Sequence, residues 1–77
     1  MQNALGEKIT TLREARGLKQ VELAAILQVS AAKVSHWEMG RRRVSFSDAT
    51  KLAAVLGVPV QELASAAVES ELAVPTP

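Results

Sequence analysis

No cysteine occurs in the chain, which excludes disulfides, thiolate nucleophiles and zinc-thiolate sites and removes any need for an oxidising compartment. Histidine and tryptophan are each present once, so a histidine-based metal cluster has nothing to build on. Long apolar runs are missing too. The most extended, "LAAIL" and "LAAVLGV", fall far short of the roughly 20 residues that span a bilayer. A cytoplasmic setting without membrane partner, signal segment or cofactor is therefore expected. Seventy-seven residues leave no room for a second domain and approach the size at which one hydrophobic core only just suffices.

A strong net charge is also absent, at +1, but the charges are unevenly placed. Up to Arg43 there are eight basic residues against four acidic ones, a local charge of +4; from Val44 onward Lys51 faces Asp48, Glu62, Glu69 and Glu71, a local charge of −3. Such a domain can offer a basic face to phosphates while its total stays small.

What is present is helical spacing, and no run alternates in the manner of a half-buried strand. The chain reads as an all-α, compact bundle of five short helices. The first runs from Asn3 to Arg16 on a stripe of Leu5, Ile9 and Leu12 and stops at Gly17. The second covers Gln20 to Leu27 and buries Leu23, Ala24 and Leu27. After a short turn, Ser30 caps a third from Ala31 to Met39, ended by Gly40. "SFSD" is a capping box, Ser45 with Asp48, opening a fourth helix to Leu56 before Gly57. The fifth starts at Pro59 and carries an apolar stripe of Val60, Leu63, Ala64, Ala67, Val68 and Leu72. Residues 1–72 form the domain, and 73–77, which end in "VPTP", read as a disordered tail.

Two short helices on a three-residue turn, "QVELAAIL-QVS-AAKVSHWEMG", have helix-turn-helix spacing. Together with "LGEKITTLREARGLKQ", "Q..LA..L", "VS...VS.WE.G" and "LAAVLGV..QEL", this region resembles the phage-repressor and Cro-like, or xenobiotic-response-element type, helix-turn-helix family. The resemblance covers residues 5–63, with 64–72 as a C-terminal extension. It implies a lambda-repressor-like DNA-binding domain, with the third helix in the major groove and the second across the backbone. It also implies a partly buried Arg13–Glu38 salt bridge between the first and third helices, and a phosphate contact from Gln20.

Helical geometry assigns faces independently. With about 100° per residue, Ala31, Val34, Trp37 and Glu38 share the inward side, whereas Ala32 and His36 point outward between the flanks Lys33 and Ser35. Trp37 is thus a core residue and no stacking platform. By the family resemblance, Ala31, Ala32, Ser35 and His36 match base-reading positions, yet alanine can only touch a thymine methyl or permit close approach. Readout then rests mainly on His36 and Ser35, with Lys33 aiding. Phosphate contacts are expected from Lys19, Gln20, Lys33, Arg41, Arg42 and Arg43, the arginines lying beside the start of the fourth helix, itself an anion site. An enzyme is not expected: Ser35 and His36 are adjacent on a helix and diverge by about 100°, with no third group to orient them.

Three residues depart from the family pattern. Gln28 stands where glycine usually supplies a positive φ, at a cost on the order of 1 kcal/mol. Lys19 and Pro59 replace hydroxyl N-caps. A dimeric repressor on a pseudo-palindromic double-stranded operator is the expected function, with Ala64, Ala67, Val68 and Leu72 forming the homodimer contact. The competing reading is an adaptor or antitoxin-like module with weak DNA binding, its second protein partner held by Val21 and Ile26, which fall on exposed positions.

Overall fold

Apolar spacing at intervals of three and four becomes five helices in the computed structural model, which describes the backbone of residues 4–70 and the side chains of residues 4–66. They are α1 (Ala4–Ala15), α2 (Gln20–Leu27), α3 (Ala31–Glu38), α4 (Phe46–Leu56) and α5 (Val60–Ser70), with no strand among the described residues. The expected start of α1 at Asn3 lies outside them. Arg16 belongs to the turn after α1, and α3 ends one residue before Met39, which is its C-cap.

Side-chain caps set two of the starts. Ser30 Oγ accepts the Lys33 N–H at 3.1 Å and Ser45 Oγ accepts the Asp48 N–H at 3.0 Å, each satisfying one amide that has no intrahelical partner. The capping box expected at α4 is only half made, because the Asp48 carboxylate is turned toward Lys33. At α2 the opposite half forms: lysine has no acceptor to offer, but Glu22 Oε1 accepts the Lys19 N–H at 2.8 Å. Pro59 precedes α5, its carbonyl accepting the Glu62 N–H at 3.0 Å.

The core is built from one face of every helix. Ile9 from α1, Leu23 from α2, Val34 and Trp37 from α3, Leu52 and Leu56 from α4, and Leu63 from α5 are all buried. Helix α1 packs on α3 and α5, α2 on α3 and α4, and α4 on α5. This leaves α3 supported from behind by α1 and α2 while its other side remains open. Leu27 is only half-buried at the edge of the core.

The apolar stripe of α5 is rotated from its expected position. Leu63 and Ala66 are buried, Val60 is half-buried, and Ala64 is exposed. The Lys8 ammonium meets Glu62 Oε2 at 2.8 Å, which holds the Glu62 side of α5 against α1. Ala66, one turn from Glu62, faces inward beside Leu63, and Ala64 faces outward. The side chains of Ala67 and Val68, and all of Leu72, lie outside the described residues.

Candidate nucleic-acid interface

The turn between α2 and α3 fixes the angle at which α3 is presented. Gln28 takes the left-handed conformation, φ 61° and ψ 42°, as the absent glycine required. Its N–H donates to Ala25 O at 3.2 Å and the Val29 N–H donates to Ala24 O at 3.0 Å, the paired bonds of a Schellman ending. The same pairing closes α1 at Gly17 and Leu18 and α3 at Gly40 and Arg41, with φ of 70° and 75° at the two glycines. Gln28 is the one non-glycine residue with positive φ among the described residues.

A carboxylate ties three helices together behind α3. Arg13 Nε donates to Glu38 Oε2 at 2.7 Å and Nη2 to Glu38 Oε1 at 3.1 Å, while Nη1 donates to Leu18 O at 2.7 Å. Gln20 Nε2 adds a bond to Glu38 Oε1 at 2.9 Å. Both ionic side chains are buried, and burial by itself raises the Glu38 carboxyl. The hydrogen bonds from Arg13, Gln20 and Thr10 outweigh that effect, and its pKa is lowered overall. The bond to Glu38 raises the Arg13 guanidinium in turn. The fork-shaped pairing fixes orientation as well as distance, so α1, the start of α2 and the end of α3 move as one body.

The Arg13–Glu38 bridge is thus as the family resemblance implied, whereas the bond from Gln20 to Glu38 has no signal in the sequence. It joins residues eighteen apart whose proximity comes from the α2–α3 crossing. Gln20 is half-buried at the first position of α2, and its amide retains a second N–H and an oxygen for an outside partner.

The exposed face of α3 follows the helical reckoning. Ala32 and His36 are exposed, Ala31 and Ser35 half-buried, and Val34, Trp37 and Glu38 buried. The result is a shallow, small-sided ridge with one imidazole, suited to close approach. Trp37 is 2% exposed, and its indole Nε1 has no hydrogen-bond partner, a core residue that carries an unsatisfied donor.

Lys33 is placed otherwise than a free cation would be. Its ammonium lies 3.7 Å from Asp48 Oδ2 and 5.4 Å from the centre of the Trp37 ring, folded back over α4. Beyond α3, Arg41, Arg42 and Arg43 are all exposed, and the backbone N–H groups of Arg41 and Arg42 both donate to His36 O, at 2.8 and 3.3 Å. The arginine loop is thereby anchored to the backbone of His36. Two apolar residues to which the sequence assigned no surface role flank this loop: Met39 is 51% and Phe46 71% exposed. Lys19 is exposed at the foot of α2. No helix among the described residues is long and apolar enough to cross a membrane.

A family model described as a helix-turn-helix domain matches residues 4–66. The crystal structure of the clp gene regulator ClgR from C. glutamicum superposes with a TM-score of 0.76 and 30% sequence identity, covering 95% of this chain and 94% of that one. No curated protein matches the chain.

Proposed function

The chain belongs to the helix-turn-helix domain family, and from that premise we propose that it is a sequence-specific regulator of transcription, a dimeric repressor that lays α3 in the major groove of double-stranded DNA. The observation that carries this reading is the open side of α3. Small side chains and His36 face outward, three exposed arginines follow at once, and a buried ionic network holds the helix rigidly from behind. The similarity to a named gene regulator supports it. A groove-reading helix needs such a rigid mount, because base contacts depend on fixed register and phosphate contacts set that register.

In this reading Ala31, Ala32, Ser35 and His36 face the base edges, and Lys19, Gln20, Arg41, Arg42 and Arg43 hold phosphates. Lys33, the fifth cation of the face, already has Asp48 as partner. Hydrogen-bonded readout rests on His36 and Ser35, while the arginines supply affinity that is blind to sequence. A homodimer would use the exposed side of α5 at Ala64, continued by Ala67, Val68 and Leu72. This reading assigns no catalytic chemistry to His36 or to its neighbour Ser35.

Selection from a random duplex library at one near-physiological salt concentration tests the proposal. The expected product is a pseudo-palindrome with half-sites about 10 base pairs apart. His36→Ala should then relax base preference within each half-site, whereas Arg42→Ala should weaken all duplexes alike and lower the salt slope by about one. Recovery of DNA with no shared sequence defeats the reading.

A second reading has its own observation. Val21 is 59% and Ile26 53% exposed, and Ile26 with Leu27, Gln28, Lys51, Ala54 and Val55 lines a shallow groove between α2 and α4. An adaptor or antitoxin-like module would bind protein there. Salt-insensitive protein binding combined with feeble DNA binding decides for it.

A further inference from the structure

Lys33 and Asp48 form an ion pair that reaches from the flank of α3 to a neighbouring helix. The lysine stands between the outward position of His36 and the inward position of Trp37 on the helical wheel, so its long stem has two directions open to it. One leads away from the domain toward any phosphate beside the groove. The other leads back over the Trp37 ring to Asp48, and that is the direction taken. Asp48 is itself only half-buried and lies in the first turn of α4, where its charge is already favoured by the helix dipole. It has also given up the return half of its capping box to face the lysine.

We infer that Asp48 competes with DNA phosphate for Lys33 and acts as a brake on affinity for duplexes of any sequence. The inference rests on the DNA-binding reading above. The chemistry is an exchange of anionic partners: the ammonium leaves one carboxylate oxygen and takes a phosphate oxygen, with no proton transferred. At 3.7 Å and with the side chains 26% and 19% exposed, the pair is loose enough to open, since a partly exposed ion pair shifts an equilibrium by no more than about fivefold. A phosphate that gains Lys33 releases about 0.9 of a condensed counterion. When Asp48 is present, that gain is reduced by the loss of its own contact and by repulsion between its carboxylate and the backbone.

The test is a double-mutant cycle on the full chain, reading affinity for a random 20-base-pair duplex across a salt series. Asp48→Asn is expected to tighten binding by up to about fivefold near 0.1 M salt and to steepen the log–log salt slope by about one. Lys33→Ala is expected to cancel that gain, so that Lys33→Ala/Asp48→Asn binds little better than Lys33→Ala. An equal gain in both backgrounds overturns the inference, because Asp48 then acts only by repelling DNA. No gain in either background overturns it as well. If wild type and all variants lack salt-dependent binding, the DNA reading fails and the inference with it. Asp48→Ser provides a second variant that retains a polar first turn of α4, and matching far-ultraviolet circular dichroism shows that each protein is folded.

Discussion

Replacing Gln28 by glycine should stabilise this domain. Gln28 sits at φ 61° in a Schellman ending, and the corresponding endings at positions 17 and 40 carry glycine at 70° and 75°. A side chain in the left-handed region costs roughly 1–2 kcal/mol, because Cβ crowds the following carbonyl oxygen. Glycine returns roughly 0.4–1 kcal/mol of that through the greater freedom of its unfolded chain. The difference favours Gln28→Gly by about 0.5–1 kcal/mol. For a domain of this length 1 kcal/mol moves the melting temperature by roughly 4–8 °C, so a rise of about 2–8 °C is expected. The Gln28 side chain is exposed, so its removal leaves no buried cavity.

Gly17→Ala supplies the mirror experiment. The residue has φ 70° and an added Cβ would meet nothing within 4 Å, so only backbone strain is introduced, and a loss of about 0.5–1 kcal/mol follows from the same two terms. Position 57 is a poorer control, since a Cβ there would lie 2.7 Å from Arg16 Nη1. Thermal and urea unfolding followed at 222 nm gives both shifts, and an unchanged denaturant slope confirms that the unfolded states are comparable. A Gln28→Gly protein that melts at or below the wild-type temperature, beside a Gly17→Ala protein that falls as calculated, refutes the argument. The Gln28 side chain would then contribute more through the α2–α4 groove than its backbone loses.

Glu38→Ala should cost about 3–5 kcal/mol, because it leaves the buried Arg13 guanidinium without its carboxylate; a loss below 1 kcal/mol on urea unfolding contradicts the central role given to the network. Acid should act through the same group. The Glu38 carboxyl is lowered in the folded state, so its stabilisation is full above the unfolded value of about 4.3 and is lost as pH falls through the folded one. Wild-type melting temperature should therefore drop below about pH 4, and Glu38→Gln should flatten that part of the profile. Sedimentation of the full chain should show a dimer, and Ala64→Glu or Leu72→Glu should shift it toward monomer; a monomeric wild type, or a dimer untouched by both changes, removes the α5 interface.

The features that were legible in the sequence depend on neighbours along one helix or across one turn. Leu5 and Ile9 share a stripe because they are four apart, Ser30 and Ser45 cap because the amide they reach is three residues on, and Ala32 and His36 point together because four residues make nearly a turn. The positive φ at Gln28 belongs to the same class, since a Schellman ending dictates it whatever residue is there. The Arg13–Glu38 pair was reached differently, through a family pattern, because nothing local joins residues twenty-five apart.

What escaped the sequence depends on helix crossings. The partner of Gln20, the capture of Lys33 by Asp48 and the rotation of α5 toward Lys8 each require two helices to be placed before either side chain can choose. Each of these choices changes what the binding face offers. Six phosphate contacts were expected, but Gln20 donates part of its amide inward and Lys33 is turned to a carboxylate. Exposed positive charge on this side is then found at Lys19 and in the arginine loop, at the two ends of the α2–α3 unit rather than along α3 itself. In the proposed complex, a helix bare of charge along its outward edge and flanked by cations at its margins would be held to the DNA backbone from both sides. Sequence preference would then come from His36, Ser35 and the shape of the groove between those two anchor points.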